Sequence, residues 1–310
     1  MICSYLSEVE LEQYAARQVS YLTSSISQLD PSWKHHEIVK RWCSDAIMQL
    51  EQLKTCEEKI AFEQNSVSLE MKTEKYTHWV ETMRLAFFQY SRFTEKKYAR
   101  SEALYSTLCS LAMTWDNGKA RDIVVPGCGP GRSVLDLARL YPTANVIGLD
   151  YSLLALMLGD QIVCGNGETY LLQRAIDSGE RISRLYTVKG FGLANASFGI
   201  TNLISCPIPA CDMMICSNTV NLLPDHKDAV KKIADAIRPE GIVVFADLVG
   251  WRLDRQRKRR QLYDDVSIKN TFEECGFITL DMFSGVPYIE SESDDQETCY
   301  NEHFYVGRRR

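Results

Sequence analysis

Three glycines and one aspartate form the pattern with the clearest chemical meaning in this chain. Gly127, Gly129 and Gly131 follow the apolar run at 122–126, and Asp150 comes 19 positions after the last glycine. A strand that leads through a glycine turn into a helix exposes backbone at the carboxyl edge of a sheet, where open α/β folds bind ligands. Separately, the glycines could serve a tight turn and the aspartate a helix cap. Their joint order and spacing favour a ligand site in which Asp150 accepts hydrogen bonds from two ribose hydroxyls.

The glycine spacing separates two kinds of nucleotide. A dinucleotide site needs G-x-G-x-x-G/A, and that pattern places the bulky Arg132 where a small residue must let helix and strand approach. A nicotinamide dehydrogenase is therefore disfavoured. The observed G-x-G-x-G suits S-adenosylmethionine (SAM), which has no pyrophosphate. The predicted SAM-binding residues are Gly127, Cys128, Gly129, Gly131, Arg132 (cofactor carboxylate), Asp150 (ribose), Tyr151, Asn202 (adenine edge) and Ser217.

Polar residues beyond the predicted fourth and fifth strands are candidates for binding a second substrate. Asn218 and Asn221 follow one strand and Asp247 ends the next; each could instead complete a turn or cap a helix. Tyr90 belongs to an aromatic run at 78–93 that could cover a pocket, although helical core packing explains most of these aromatic residues. Methyl transfer from a sulfonium depends mainly on positioning, so these groups need only hold a nucleophile and exclude water.

Two parts of different composition position these residues. The first 118 residues contain one proline, Pro31, and one glycine, Gly118, and their periodicity predicts helices within 7–29, 32–64 and 74–115. Asp30 and Pro31 are expected to begin the second helix. The remainder predicts an α/β domain with strands near 122–126, 145–150, 185–189, 212–217, 241–247, 277–283 and 302–307, separated by helices. We therefore predict a helical N-terminal or lid domain (1–118) and a Rossmann-like SAM-binding domain (119–310) with seven mostly parallel strands and helices on both faces.

Residues 121–250 resemble class I SAM-dependent methyltransferases, through the glycine loop, Asp150 and the segment "CDMMICSNTVNLLPDHKDAVKKIADAIRPEGIVVFADLV". The sequence departs from that family at Pro126, where an acidic residue is frequent. Over most of the chain, "VPGCGPGR", "LDYSLLALMLGDQIV" and "TCYNEHFYVGRR" are similar to carnosine N-methyltransferase and its relatives. That resemblance implies substrate contacts at Tyr288, Tyr300 and His303. Asp150 stands where that group has glutamate, and the group's substrate aspartate after the fourth strand is missing.

Charge and cysteine content narrow the class of protein. The formal charge is -6 and the pI is near 5.5, which favours a small-molecule substrate over nucleic acid despite the basic run at 252–261. The 11 cysteines lack metal-ligand spacing, so we expect reduced thiols, a cytoplasmic location and no bound metal. No apolar run approaches the length of a membrane span. The sequence leaves the oligomeric state open.

The sequence thus predicts a SAM-dependent methyltransferase that acts on nitrogen of a small polar metabolite or amino-acid derivative. One alternative enzyme would cyclise SAM itself to azetidine-2-carboxylate and methylthioadenosine, and Pro126 in place of an acid is compatible with that reaction. Another alternative is a non-catalytic protein that retains the SAM fold and uses its helices to bind a partner.

Overall fold

The structure is a computed structural model that describes residues 2–4, 8–27, 36–52, 78–93, 102–177, 180–203, 205–220, 223, 226–248, 265–293 and 296–310. Its helices are α1 (Glu8–Ser27), α2 (His36–Gln52), α3 (His78–Tyr90), α4 (Glu102–Asp116), α5 (Arg132–Leu140), α6 (Leu153–Gly159), α7 (His226–Ala236) and α8 (Asp265–Glu274). Its strands are β1 (Ile2–Ser4), β2 (Asp122–Pro126), β3 (Asn145–Asp150), β4 (Glu168–Asp177), β5 (Glu180–Lys189), β6 (Ala196–Ile200), β7 (Cys211–Ser217), β8 (Ile237–Leu248), β9 (Phe277–Ser293) and β10 (Gln296–Arg309).

One eight-stranded sheet carries the site. Its order is β1-β6-β3-β2-β7-β8-β10-β9, and the pairs from β1 to β8 are parallel, whereas β10 runs antiparallel to both neighbours. The chain proceeds from β2 outward to β3 and β6, then returns to place β7 on the other side of β2. The gap beyond the carboxyl ends of β2 and β7 is therefore the topological switch point, where such sheets bind ligands. The predicted mostly parallel sheet with helices on both faces is confirmed.

Alternate residues of each central strand feed two hydrophobic clusters. In β2, Ile123 and Val125 lie in the cluster that contains α3, α4, α5 and α6, whereas Val124 lies in the cluster with α7 and α8. This division follows from the period of two in a strand, and it explains why these strands are continuously apolar. Burial of each such side chain contributes about 1.5–3 kcal/mol to folding.

The third predicted strand was assigned to the wrong sheet. Residues 185–189 do form a strand, but it belongs to β5, which pairs with β4 in a separate antiparallel hairpin. The sheet member is β6, whose sequence "ASFGI" contains small and turn-forming residues that conceal its strand character. Phe198 and Ile200 of β6 are fully buried, so tertiary packing overrides the weak local propensity.

The described residues before 117 are helical apart from one short strand. The predicted helix at 74–115 is represented by α3 and α4 with 94–101 outside the described residues, and the expected start of the second helix at Asp30 and Pro31 also lies outside them. The short β1 extends the sheet beside β6, which composition did not predict. The division at 118 and a lid function for the helices remain predictions. Among the residues described, no helix is both long and apolar enough to cross a membrane.

Candidate functional site

The glycine loop lies at the switch point as a tight left-handed turn. The φ angles of Gly127, Gly129 and Gly131 are 63°, 54° and 86°, in the left-handed region that residues other than glycine rarely adopt. The N–H of Cys128 donates to the carbonyl of Leu149 on β3 at 3.1 Å, and the N–H of Gly131 donates to Cys128 at 3.0 Å. The bond from Cys128 therefore fixes the loop to β3 independently of any ligand.

The three glycines have different neighbours. A Cβ on Gly127 would lie 2.2 Å from Oγ1 of Thr219, and a Cβ on Gly131 would lie 2.6 Å from the ring of Phe198. At Gly129 the nearest atoms are the flexible ends of Leu85 at 3.1 Å and Gln89 at 3.4 Å. Gly127 and Gly131 are thus required by packing within the protein. Gly129 is favoured by its backbone angle, and its backbone N–H bonds an acidic residue on the next strand.

That acidic residue is Asp150, at the carboxyl end of β3. Its Oδ2 accepts the N–H of Gly129 at 2.8 Å, and its Oδ1 accepts the N–H of Ser152 at 2.8 Å, where α6 begins. The half-buried carboxylate therefore joins the glycine loop to the N-terminus of α6, whose positive end favours a negative charge. The bond to Ser152 agrees with the alternative role at a helix start, and ribose binding by Asp150 stays a prediction.

The first helix reaches the same place. The hydroxyl of Tyr14 on α1 donates to the carbonyl of Tyr151 at 2.7 Å and accepts the N–H of Leu153 at 3.0 Å. The rings of Tyr14 and Tyr151 meet edge to face at 4.9 Å. Burial raises the pKa of Tyr14 above its ordinary range, so the hydroxyl keeps its proton. Sequence reasoning did not single out Tyr14, because an aromatic residue on an amphipathic helix carries no signal of its distant partner.

Tyr90 supports the glycine loop from behind. The side chain is fully buried on α3, and its hydroxyl donates to the carbonyl of Pro130 at 2.8 Å. Burial raises the pKa of this hydroxyl well above its ordinary range. Tyr90 therefore contacts the glycine loop, and its role beside a substrate pocket stays a prediction.

Arg132 binds protein groups in place of the predicted cofactor carboxylate. It is 2% exposed, and its Nε lies 2.7 Å from Asp136 while Nη2 lies 2.9 Å from Glu102. Nη1 donates to the carbonyl of Gln89 at 2.8 Å. These contacts connect α5 to α3 and α4. The local signal was present in the sequence, since Arg132 and Asp136 have the i, i+4 spacing of a helical ion pair.

The carboxyl end of β6 has two polar residues with different environments. Asn202 is half-buried, and its carbonyl accepts the N–H groups of Ser205 and Cys206, so it begins a turn. Thr201 is fully buried; its N–H donates to the carbonyl of Asp150 at 3.0 Å, and its Oγ1 has no hydrogen-bond partner among the described residues. The structure adds Thr201 to the candidate set beside Asn202.

The carboxyl end of β7 faces a buried acid that the sequence reading missed. Ser217 is half-buried and ends the strand, and Asn218 follows with φ 50°. The Nδ2 of Asn218 donates to Oε1 of Glu302 on β10 at 2.7 Å, and Glu302 is 0% exposed. Burial raises the pKa of Glu302 to about 8; the nearby Asp247 also raises it, while the bond from Asn218 lowers it.

The remaining predicted acceptor residues fall on two faces of the sheet. Tyr288 is 9% exposed on β9, contacts the ring of Phe88 at 5.3 Å, and belongs to the cluster on the α3 and α4 side. His303 pairs with Asp247 across β10 and β8, and both alternate away from Glu302 along their strands. The structure therefore groups Asn218 and Tyr288 with Glu302 and separates them from Asp247 and His303. Asn221 lies outside the described residues.

Comparison with known proteins supports the fold. No protein-family model and no curated protein matches the chain. A structure assigned as a sarcosine dimethylglycine methyltransferase from Galdieria sulphuraria superposes with a TM-score of 0.50 at 14% identity, covering 74% of this chain and 98% of that one. This chain has the fold of class I methyltransferases.

Two further structures are similar at lower scores. The N-methyltransferase NodS from Bradyrhizobium japonicum, in complex with S-adenosylhomocysteine (SAH), has a TM-score of 0.45 at 13% identity, with 67% of this chain and 86% of that chain covered. Magnesium protoporphyrin IX methyltransferase from Synechocystis, also with SAH, has a TM-score of 0.46 at 12% identity, with coverage of 73% and 95%. The narrower resemblance to carnosine N-methyltransferase stays a prediction.

Proposed function

We propose that this chain is a SAM-dependent methyltransferase acting on nitrogen of a small polar metabolite or amino-acid derivative. The observation that supports this most strongly is the bond between the Asp150 carboxylate and the N–H of Gly129 at the switch point. It joins the two parts of the sequence pattern, the bare loop and the acid, into one surface. The fold of the chain, which methyltransferases share, agrees with that reading.

The residues present fit SAM. Two backbone bonds hold the Asp150 carboxylate at the edge of the glycine loop, and a carboxylate can accept hydrogen bonds from ribose hydroxyls. Thr201 follows β6 directly, and its Oγ1, which has no hydrogen-bond partner among the described residues, gives a buried polar atom near the expected adenine edge at Asn202. SAM, when bound, supplies a methyl group activated by a sulfonium. Arg132 leaves the proposed cofactor set because its donors already bond Asp136 and Gln89.

The proposed acceptor site lies between β7 and the antiparallel strands. Asn218 provides polar contact at the end of β7, and Tyr288 with Phe88 forms a wall that excludes water. Exclusion of water and fixed position are the main contributions that methyl transfer requires. Asp247 and His303 lie on the other face of the strands and are not part of this proposed site.

The wider setting follows from composition. An acidic chain of formal charge -6 suits a small polar acceptor better than nucleic acid, and we propose a cytoplasmic enzyme. The N-terminal helices would cover the site, since Tyr90 contacts the glycine loop at Pro130 and Tyr14 contacts Tyr151, next to Asp150.

Mass spectrometry of the nucleoside product tests this function. The purified chain is incubated with SAM alone and with SAM plus a fractionated pool of small amines. SAH that forms only with an acceptor supports methyl transfer. Methylthioadenosine formed without an acceptor would indicate cyclisation instead, and a chain that neither binds nor consumes SAM would be a non-catalytic protein with this fold.

A further inference from the structure

The buried carboxyl of Glu302 has hydrogen-bonding capacity that the described part of the chain does not use. Its Oε1 accepts Nδ2 of Asn218 at 2.7 Å, whereas its Oε2 and Oδ1 of Asn218 have no partner among the described residues. Each unsatisfied buried polar atom costs about 1–3 kcal/mol. Two neighbouring acceptor atoms without donors favour a ligand rich in N–H groups, and an ammonium group has three.

The surroundings of Glu302 strengthen this reading. Tyr105 from α4 is close enough to interact electrostatically with both Glu302 and Tyr288. Asp247 acts on Glu302 from the other face of β8 and is not part of the ligand site. The two tyrosines bring aromatic rings, and Asn218 brings an amide. A cationic ligand gains from the Glu302 carboxylate and from the aromatic rings. An anionic or donor-poor ligand would leave the acceptor atoms unsatisfied.

Glu302 is connected to the cofactor loop through two adjacent residues. Asn218 contacts Glu302, and the next residue, Thr219, donates to the carbonyl of Pro126 at 3.1 Å. Thr219 also occupies the space that a Cβ on Gly127 would need. The carboxyl therefore lies on the β7 side of the switch point, beyond the loop proposed to hold the cofactor.

We propose that Glu302 is the base of the acceptor site, and that the acceptor is an aliphatic primary or secondary amine that enters as its ammonium ion. This rests on the proposed methyl transfer. The carboxylate takes one proton from the ammonium nitrogen, which frees the nitrogen lone pair. That pair forms a bond to the methyl carbon while the carbon–sulfur bond breaks and sulfur keeps its electron pair. The product leaves as a methylated ammonium ion, and Glu302 returns its proton to solvent.

The raised pKa of Glu302 agrees with this role. A carboxyl whose pKa is about 8 is a stronger base than an ordinary glutamate, which suits proton transfer near neutral pH. An ammonium ion beside the group favours the ionised carboxylate, because an opposite charge lowers the pKa of an acid. When the ammonium ion enters, the resting carboxyl therefore releases its own proton to solvent, and the resulting carboxylate acts as the base.

Carbon-13 NMR of protein labelled at the glutamate carboxyl carbons tests the proposal. The Glu302 resonance is assigned by its loss in Glu302→Gln, and its high titration midpoint identifies it if that variant does not fold. We expect n-propylammonium to lower the midpoint by about one pH unit or more, and n-propanol, the neutral isostere, to leave it in place. A midpoint that n-propylammonium does not move overturns the proposal.

Turnover with an amine acceptor gives a second readout. Glu302→Gln is expected to lower kcat/KM by about 10²–10⁴-fold near pH 7 while SAH affinity in calorimetry is unchanged. Glu274→Gln, which changes a carboxylate 67% exposed on α8, serves as the matched control with unchanged turnover. Equal turnover in Glu302→Gln and wild type overturns the role of Glu302. Failure of wild type to bind SAH would instead overturn the proposed cofactor, and the NMR titration without SAH would still decide about Glu302.

Discussion

The proposed cofactor side and the proposed acceptor side of the site each contain one carboxylate, Asp150 and Glu302, and the hydrogen bonds of the two carboxylates differ. Asp150 accepts two backbone N–H groups, from Gly129 and Ser152, and is half-buried. Glu302 is fully buried and accepts a bond from Asn218 through one oxygen, while the other oxygen lacks a partner among the residues described. The first carboxylate is stabilised by the fold that surrounds it. The second retains capacity that a substrate can satisfy, at a cost to the stability of the protein alone.

Gly131→Ala is expected to destabilise the protein more than the other variants. The added Cβ would lie 2.6 Å from the ring of Phe198, and the alanine backbone would have to adopt φ 86°. Backbone strain and overpacking together should lower the free energy of unfolding by about 3 kcal/mol or more, as measured by chemical denaturation. Gly118→Ala shares the positive φ, at 72°, but meets no atom within 4 Å, so it isolates the strain contribution. Equal losses in the two variants would contradict the packing role of Gly131.

Glu302→Gln should increase stability at alkaline pH. Burial raises the folded pKa of Glu302 from an ordinary 4.5 to about 8, so the folded state binds this proton more tightly than the unfolded state. The resulting stability is complete below the unfolded pKa and is lost as pH rises toward 8. Glutamine is neutral at all these pH values, so the variant should match wild type near pH 4 and exceed it by on the order of 3 kcal/mol at pH 7, with a larger difference at pH 9. Denaturation curves across this pH range check it; a constant difference would show that the carboxyl does not titrate as proposed.

Tyr14→Phe tests the contact between α1 and the residues that follow Asp150. The change removes the hydroxyl that bonds the carbonyl of Tyr151 and the N–H of Leu153. Loss of these bonds should reduce the free energy of unfolding by about 1–2 kcal/mol and weaken SAH binding in calorimetry. Tyr170→Phe, on a side chain 43% exposed, is the control. Unchanged SAH affinity in Tyr14→Phe would separate α1 from the cofactor site.

The smallest expected effect concerns the acceptor side. Asn218→Gly removes the amide that donates to Glu302 and tolerates φ 50°. Because this bond favours the charged carboxylate, its loss should raise the titration midpoint of Glu302 by about one pH unit, observed by carbon-13 NMR. A midpoint that stays or falls would show that Asn218 does not stabilise the ionised form.

Sequence patterns predicted the parts of the molecule that depend on local order. The apolar strands, the glycine loop and Asp150 occur within 30 residues, and their geometry follows from adjacent elements in a parallel sheet. Glu302 escaped prediction because its partner Asn218 is 84 residues away and meets it through strand pairing. Alternation along β10 was the available signal, since Glu302 shares a face with the buried Phe304 and Val306.

Arg132 and β6 show two other reasons for failure. A guanidinium beside a glycine loop suits an anionic ligand, but here neighbouring carboxylates on α4 and α5 bind it first. The strand β6 was not predicted because its small residues have weak strand propensity. Those residues are suited to close packing, and Phe198 fills the space left by Gly131, Gly148 and Gly159. Both outcomes were decided by tertiary contacts that a single sequence does not display.

Calorimetric titration of SAH into wild type and Asp150→Asn tests the central claim most directly, with thermal melts to confirm that both are folded. We expect one bound SAH per wild-type chain and an affinity at least about tenfold lower in Asp150→Asn, equivalent to about 1.4 kcal/mol. A folded wild-type chain that does not bind SAH, or an equal affinity in Asp150→Asn, would contradict it.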